Sequence, residues 1–318
     1  MSAADSAVIL LAHGTPESPA DVPEFMRNVT GGRVVSPEVI AEVARRYASI
    51  GQSPLLRITR NQAAALQQEL RIPVYVGMRN WKPYIAEAVG QMERNGIGHA
   101  AVICMAPQNS RTSVGLYRKA VEAAADGKIQ IHFVESWHEH PRLVAAFAEK
   151  LLPVWREAGR QAGSKVPMIF TAHSVPEKTI ADGDPYAAQA RETAALVAAG
   201  IPGLTAQECR FAFQSQGMAG GAWIGPTVEE TIMDLKRAGD KHFVIQPVGF
   251  VCDHVEILYD IDIVFTDFAQ HHGMKLWRTE CLNESPRLIA VLADLARTAL
   301  GDRALAASSA DIMHTTSS

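Results

Sequence analysis

The chain has 318 residues, 47% of them hydrophobic, which is enough for two domains of ordinary size with a sizeable core. Its formal net charge of −4 is spread without a basic block, and that excludes an electrostatic pull toward nucleic acid or an anionic membrane surface. No run approaches the roughly 20 apolar residues that span a bilayer, the N-terminus reads as having no signal peptide, and Cys104, Cys209, Cys252 and Cys281, isolated and without a C-x-x-C pair, read as reduced thiols of a cytoplasmic protein.

The first β-rich run is VILLA. A helical pattern follows from about Pro37 to Leu70, then a strand PVYVGM, a helix to Asn95, a strand AAVICMAP, a helix through Tyr117 and a strand IHFVES. This alternation implies a parallel sheet covered by helices on both faces. The polar segment PVWREAGRQAGSKVP, residues 153–167, has two glycines between prolines and reads as a helix end and a crossover into a second unit. The series then restarts with MIFTAH, FAFQSQ, KHFVIQPVGFV and MKLWRT.

The restart repeats details of the first series. VILLAHGTPE at 8–17 returns as MIFTAHSVPE at 168–177, Trp81 and Trp223 each precede a proline that opens a helix, and Pro107 matches Pro247 at two strand ends. Matched elements in the same order predict two similar doubly wound parallel-sheet domains, 1–160 and 161–303. Their ligand site is expected in the cleft between them, at the carboxyl ends of the strands. His13 and His173 both stand at such ends. The small, polar tail 304–318 is expected to be disordered.

No dinucleotide glycine fingerprint, phosphate loop or H-E-x-x-H occurs, so nucleotide chemistry is disfavoured. PVGFVCDHVEILYD, residues 247–260, turns from a strand into a helix studded with carboxylates. At helical spacing Asp253, Glu256 and Asp260 share one face, while His254 points elsewhere. Helix capping explains Asp253 alone, but Glu256 and Asp260 lie beyond the capping turn. Aligned on Pro107 and Pro247, Glu256 falls opposite Leu116, so only the second half carries the carboxylate. A neutral His173, near its ordinary pKa of about 6.5, facing Glu256 offers one nitrogen and one oxygen. That pair suits a first-row divalent cation held briefly, whereas a structural metal would want four ligands.

AHSVPEK (172–178), GDPY (183–186), FQSQG (213–217), WIGP (223–226) and PVGFVCDHVEILYDID (247–262) together resemble the ferrochelatases, which put ferrous iron into a porphyrin. The likeness continues through AHGTPES, ARRYASIGQSPL (44–55), VGMRNWKP (76–83) and ESWHEHP (135–141), nearly the whole chain except the tail. The resemblance implies two doubly wound domains around a porphyrin cleft and puts the catalytic, metal-handling pair on His173 and Glu256. It also implies porphyrin contacts from His13, Arg46, Tyr47, Ser53 and His138, and a proton or metal relay through Asp253 and Asp260. The short spacer before ARRYASIGQSPL is similar to the enzymes that use coproporphyrin III rather than protoporphyrin IX.

Three positions bear on the match to the family pattern, two as departures and Gln108 as the choice that removes one proposed metal contact. His13 stands where many coproporphyrin enzymes have Tyr, Gln108 where the family has His or Gln, and Val264 where a third carboxylate would continue the acidic ladder. The resemblance implies ferrous iron as a substrate, no permanently bound cofactor, no iron–sulfur cluster (the tail has no cysteine) and a transient haem-acceptor protein. Insertion requires two pyrrole protons to leave as iron enters, so the cleft is expected to bend the ring and to offer weak ligands. Two rival readings are a cobalt-inserting chelatase, which would usually carry a second His in place of Glu256, and a non-enzymatic haem carrier, which has no use for the acidic face.

Overall fold

The computed structural model describes residues 5–216 and 221–301. The expected disordered tail and the middle of the 213–226 motif region lie outside them. Two four-stranded parallel sheets form the frame. The first has β1 (Ser6–Ala12), β2 (Val74–Met78), β3 (His99–Cys104) and β4 (Gln130–Val134) in the order β2-β1-β3-β4. The second has β5 (Met168–His173), β6 (Cys209–Gln214), β7 (His242–Pro247) and β8 (Lys275–Arg278) in the order β6-β5-β7-β8.

The two orders are the same, as the repeated sequence anticipates. Every residue of β1 is buried, the signature of a central parallel strand covered on both faces. From β1 the chain moves to one side, makes β2, and returns to the other side for β3. Strand order therefore reverses between β1 and β3, and again between β5 and β7, and a crevice opens at the carboxyl ends there. His13 is the residue after β1, and His173 is the last residue of β5.

The helical stretch to Leu70 is two helices, α2 (Pro37–Ile50) and α3 (Leu55–Leu70), preceded by a short α1 (Val22–Val29). Gly51, at φ 70°, and Pro54 break the stretch, while Ser36 caps α2 by accepting from the Val39 amide at 3.4 Å. The remaining helices of the first half are α4 (Ile85–Arg94) and α5 (Val114–Ala125). Residues 153–162, read from sequence as a helix end and crossover, continue the 22-residue α6 (Pro141–Ala162), with Pro153 inside it. An internal proline costs roughly 3 kcal/mol, and burial of Leu143, Phe147, Leu151 and Trp155 at about 1.5–3 kcal/mol each outweighs it.

In the second half follow α7 (Glu177–Ala181), α8 (Tyr186–Ala199), α9 (Val228–Arg237), α10 (Val255–Leu258), a π-helix (Asp260–Phe265), α11 (Thr266–His271) and α12 (Pro286–Leu300). Two helices cross over: α6 packs on β7 and α8 of the second sheet, and α12 packs on β3, β4 and α3 of the first. One apolar core therefore joins Val8 and Leu10 to Phe170 and Val244. A division near residue 160 falls inside α6. Among the described residues no helix is long and apolar enough to cross a membrane.

Candidate active site

Glu256 sits between two imidazoles. Its Oε1 lies 3.4 Å from Nε2 of His173, and its Oε2 lies 3.2 Å from Nε2 of His254. Each ring is fixed from behind: His173 Nδ1 bonds the carbonyl of Ser174, and His254 Nδ1 bonds that of Cys252 at 3.0 Å. A carbonyl only accepts, so each Nδ1 carries its hydrogen and each Nε2 is the nitrogen turned to the carboxylate. In a neutral ring that Nε2 would turn a lone pair toward a carboxylate lone pair. The His173 contact therefore wants a proton between its two atoms.

The local backbone produces this arrangement. Gly249 lets the β7–α10 connection pass over β5, because a Cβ there would stand 2.7 Å from Ala172 Cβ and 2.8 Å from Ala172 Cα. His254 precedes α10 in an extended conformation, φ −160° and ψ −172°, and that turns its ring onto Glu256. The sequence expectation that His254 points elsewhere is corrected here, because it assumed a helix that begins two residues too early. Asp253 leaves the shared face for the same reason: it bonds Asn283 Nδ2 at 2.7 Å and Arg278 at 3.2 Å. Asp260 does stay with Glu256, opening the π-helix and accepting from the Ser215 hydroxyl.

His173 and Glu256 keep 31% and 32% of their side-chain surface open, yet protein crowds them enough for burial to be the largest influence on each. That combination describes a cleft floor. Burial would lower the pKa of His173, but the Glu256 carboxylate and the Ser174 carbonyl together raise it to about 9. Burial would raise Glu256, and the two histidines instead hold it well below the ordinary carboxylate range. At neutral pH the pair is imidazolium and carboxylate, so the expectation of a neutral His173 near 6.5 is also corrected. Asp260 is lifted to about 6, first by burial and then by the Glu256 charge, against the pull of Ser215.

His13 has the equivalent place in the first half, and its Nδ1 likewise meets the carbonyl of the next residue, Gly14, at 3.2 Å. Its protonation state differs. Burial, aided by the cation of Arg79 and opposed by Glu256, lowers its pKa to about 4, so it is a neutral imidazole. Gly14, at φ +90°, allows this close fit, since a Cβ there would lie 2.9 Å from the Trp81 amide nitrogen.

The other sequence-derived residues are spread more widely. Arg46 is half-buried, bonded to Glu42 at 3.0 Å, with its guanidinium 5.4 Å from the Tyr259 ring centre and its charge felt at Asp260. Tyr47 and Ser53 are buried, Tyr47 edge-on to Phe25, which in turn meets His13. His138 is bonded to Ser136 at 2.7 Å and Glu192 at 2.9 Å, outside the group around Glu256. With Glu139 and Glu192 it brings three metal-ligating atoms within 4.8 Å of one another, but both carboxylates are exposed. Two site residues, His254 and Arg79, escaped the sequence reading. His254 lies inside the quoted acidic motif, and Arg79 follows β2 at a strand end, so each carried a positional signal.

Two donors, His173 Nε2 and Glu256, suit a cation that is passed on rather than kept. A sequence model of the family described as Ferrochelatase matches residues 5–300. The chain is 54% identical over 309 residues to a ferrochelatase of Acidobacterium capsulatum, covering 93% of this chain and 94% of that protein. It is 33% identical over 312 residues to the coproporphyrin III ferrochelatase of Bacillus subtilis, covering 95% and 100%. Among solved structures, SirB from Bacillus subtilis with Fe3+ superposes with a TM-score of 0.55 at 10% identity, covering 94% of this chain and 97% of that one. CbiX, described as the terminal enzyme of siroheme biosynthesis in denitrifying bacteria, gives 0.53 at 15%, covering 93% and 100%. At such identities these two show the two-domain α/β chelatase fold alone. With the family pattern covering both sheets and the paired strand ends, the chain belongs to the ferrochelatase family, enzymes that insert iron into a porphyrin in haem biosynthesis.

Proposed function

We propose that the porphyrin is coproporphyrin III, that ferrous iron is handled purely as a substrate, and that His173 and Glu256 perform the insertion. The observation that carries the assignment is the Glu256 carboxylate held between two Nε2 atoms at 3.4 and 3.2 Å. Iron arriving at His173 displaces the Nε2 proton onto Glu256, and Glu256, giving up each proton before it takes the next, then accepts the two that leave the pyrrole nitrogens. Asp260, poised at about 6, passes them onward through its contact with Ser215. His13, neutral with Nε2 unprotonated, faces the ring from the other half and serves the product iron as an axial ligand. Asp253, tied to Arg278 and Asn283, fixes the start of α10 and so supports Glu256 from behind.

Support for coproporphyrin III, which carries four propionates, comes from the basic lip: Arg27, Arg33 and Arg45 are exposed and Arg46 is half-buried. Relatives named coproporphyrin III ferrochelatases, at 33–35% identity, point the same way. The compartment we assign is the cytoplasm, and a reactive, poorly soluble product calls for a transient acceptor protein.

One anaerobic assay tests the proposal, with ferrous iron and both porphyrins in parallel. His173→Ala and Glu256→Gln are each expected to lower turnover at least about a hundredfold, the scale of losing a positioned acid-base group. Near-normal turnover in either folded, porphyrin-binding variant defeats the pair assignment. A clearly higher kcat/KM for protoporphyrin IX overturns only the choice of porphyrin.

A further inference from the structure

Arg79 follows directly on β2. Its backbone amide donates to the carbonyl of Ala12 at 3.0 Å, and the next amide, that of Asn80, donates to His13 at 3.0 Å. The guanidinium therefore starts beside His13, half-buried, with its carbon 5.7 Å from the centre of the Tyr117 ring. Other arginines of the chain are already committed: Arg46 to Glu42, Arg278 to Asp253 and Asp262, Arg111 to Asp182. Arg79 alone of these makes no ion pair or side-chain hydrogen bond among the described residues. A half-buried cation without a counter-charge is costly, and a planar fork of N–H donors matches a carboxylate. It repels a metal ion.

We propose that Arg79 is a substrate-anchoring residue, which takes one carboxylate of the porphyrin side chains on the His13 face of the cleft, with the Tyr117 ring behind it. The inference rests on the porphyrin reading given above. It adds an anchor just after β2, in the first half and away from the basic lip of α1 and α2.

The test is binding rather than turnover. Metal-free coproporphyrin III and its tetramethyl ester, which lacks the carboxylates, are titrated by fluorescence in the same dilute detergent against the wild type, Arg79→Gln and Arg79→Lys. Arg79→Gln should weaken the acid by about tenfold or more, Arg79→Lys should recover part of that loss, and the ester should stay within about twofold throughout. Unchanged affinity for the acid in Arg79→Gln overturns the proposal. So does an equal loss for acid and ester, which marks a cleft that has merely been deformed. Iron insertion by the wild type is measured alongside. If the wild type binds the acid but inserts no iron, the reading of the reaction fails while the anchor assignment stands.

Discussion

At neutral pH His173 holds a proton that iron has to displace. The cause is local: Glu256 at 3.4 Å and the Ser174 carbonyl overcome burial and bring the imidazole to about 9. Metal affinity should therefore climb with pH, by up to about tenfold per unit from pH 6.5 to 8.5, as the competing proton becomes easier to remove. Titration with Co2+ or Zn2+ at several pH values reads this directly, and His173→Ala should flatten the slope. An affinity constant over that range in the wild type contradicts the assignment. The signs for stability differ between the partners. A raised folded-state pKa makes the His173 contribution full below its ordinary 6.5 and lost as pH rises through about 9. The lowered Glu256 contributes above its ordinary 4.5 and loses that contribution as pH falls below it.

The decisive element is the connection from β7 to α10. It carries Glu256 to His173 only because Gly249 has no side chain where the backbone passes Ala172. Gly249→Ala is expected to destabilise the fold by about 1–3 kcal/mol, the usual cost of overpacking a rigid site. It should lower kcat for insertion more than it weakens porphyrin binding, because the loop moves and takes Glu256 with it. Gly115→Ala, where a methyl meets Arg111 Cβ at an ordinary 3.6 Å, is the control. Thermal unfolding, kcat and porphyrin affinity measured on both variants check this, and an unchanged kcat in Gly249→Ala refutes it. The acidic motif was readable in the sequence as a strand running into a helix. Its first residues were not, because the helix begins at Val255 and changes to a π-helix at Asp260, and those bounds depend on packing of Ile257, Ile261 and Phe265.

On the scale of the whole molecule, the helix exchange makes the two halves interdependent. α12 buries Leu288, Ile289, Val291, Leu292 and Leu300 against the first sheet. At about 1.5–3 kcal/mol per large side chain, that burial rivals the roughly 5–15 kcal/mol that holds a typical protein folded. A chain ending before Pro286 is therefore expected to lose cooperative unfolding in both halves, as followed by circular dichroism. Cooperative melting at the wild-type temperature would show that the halves are independent.

The sequence by itself determined the duplication, the parallel sheets, the strand ends that carry His13 and His173, the family and the carboxylate that only the second half possesses. These follow from short-range patterns: unbroken apolar runs for buried parallel strands, prolines at helix starts, and motifs of a few residues. Tertiary structure alone decided which helix covers which sheet, that His254 rather than Asp253 faces Glu256, that Arg79 stands unpaired beside His13, and that of two histidines in equivalent places one is charged and the other neutral. Each of these depends on groups distant in the chain coming within a few ångströms in a medium of low polarity, where one neighbouring charge sets the protonation of the next.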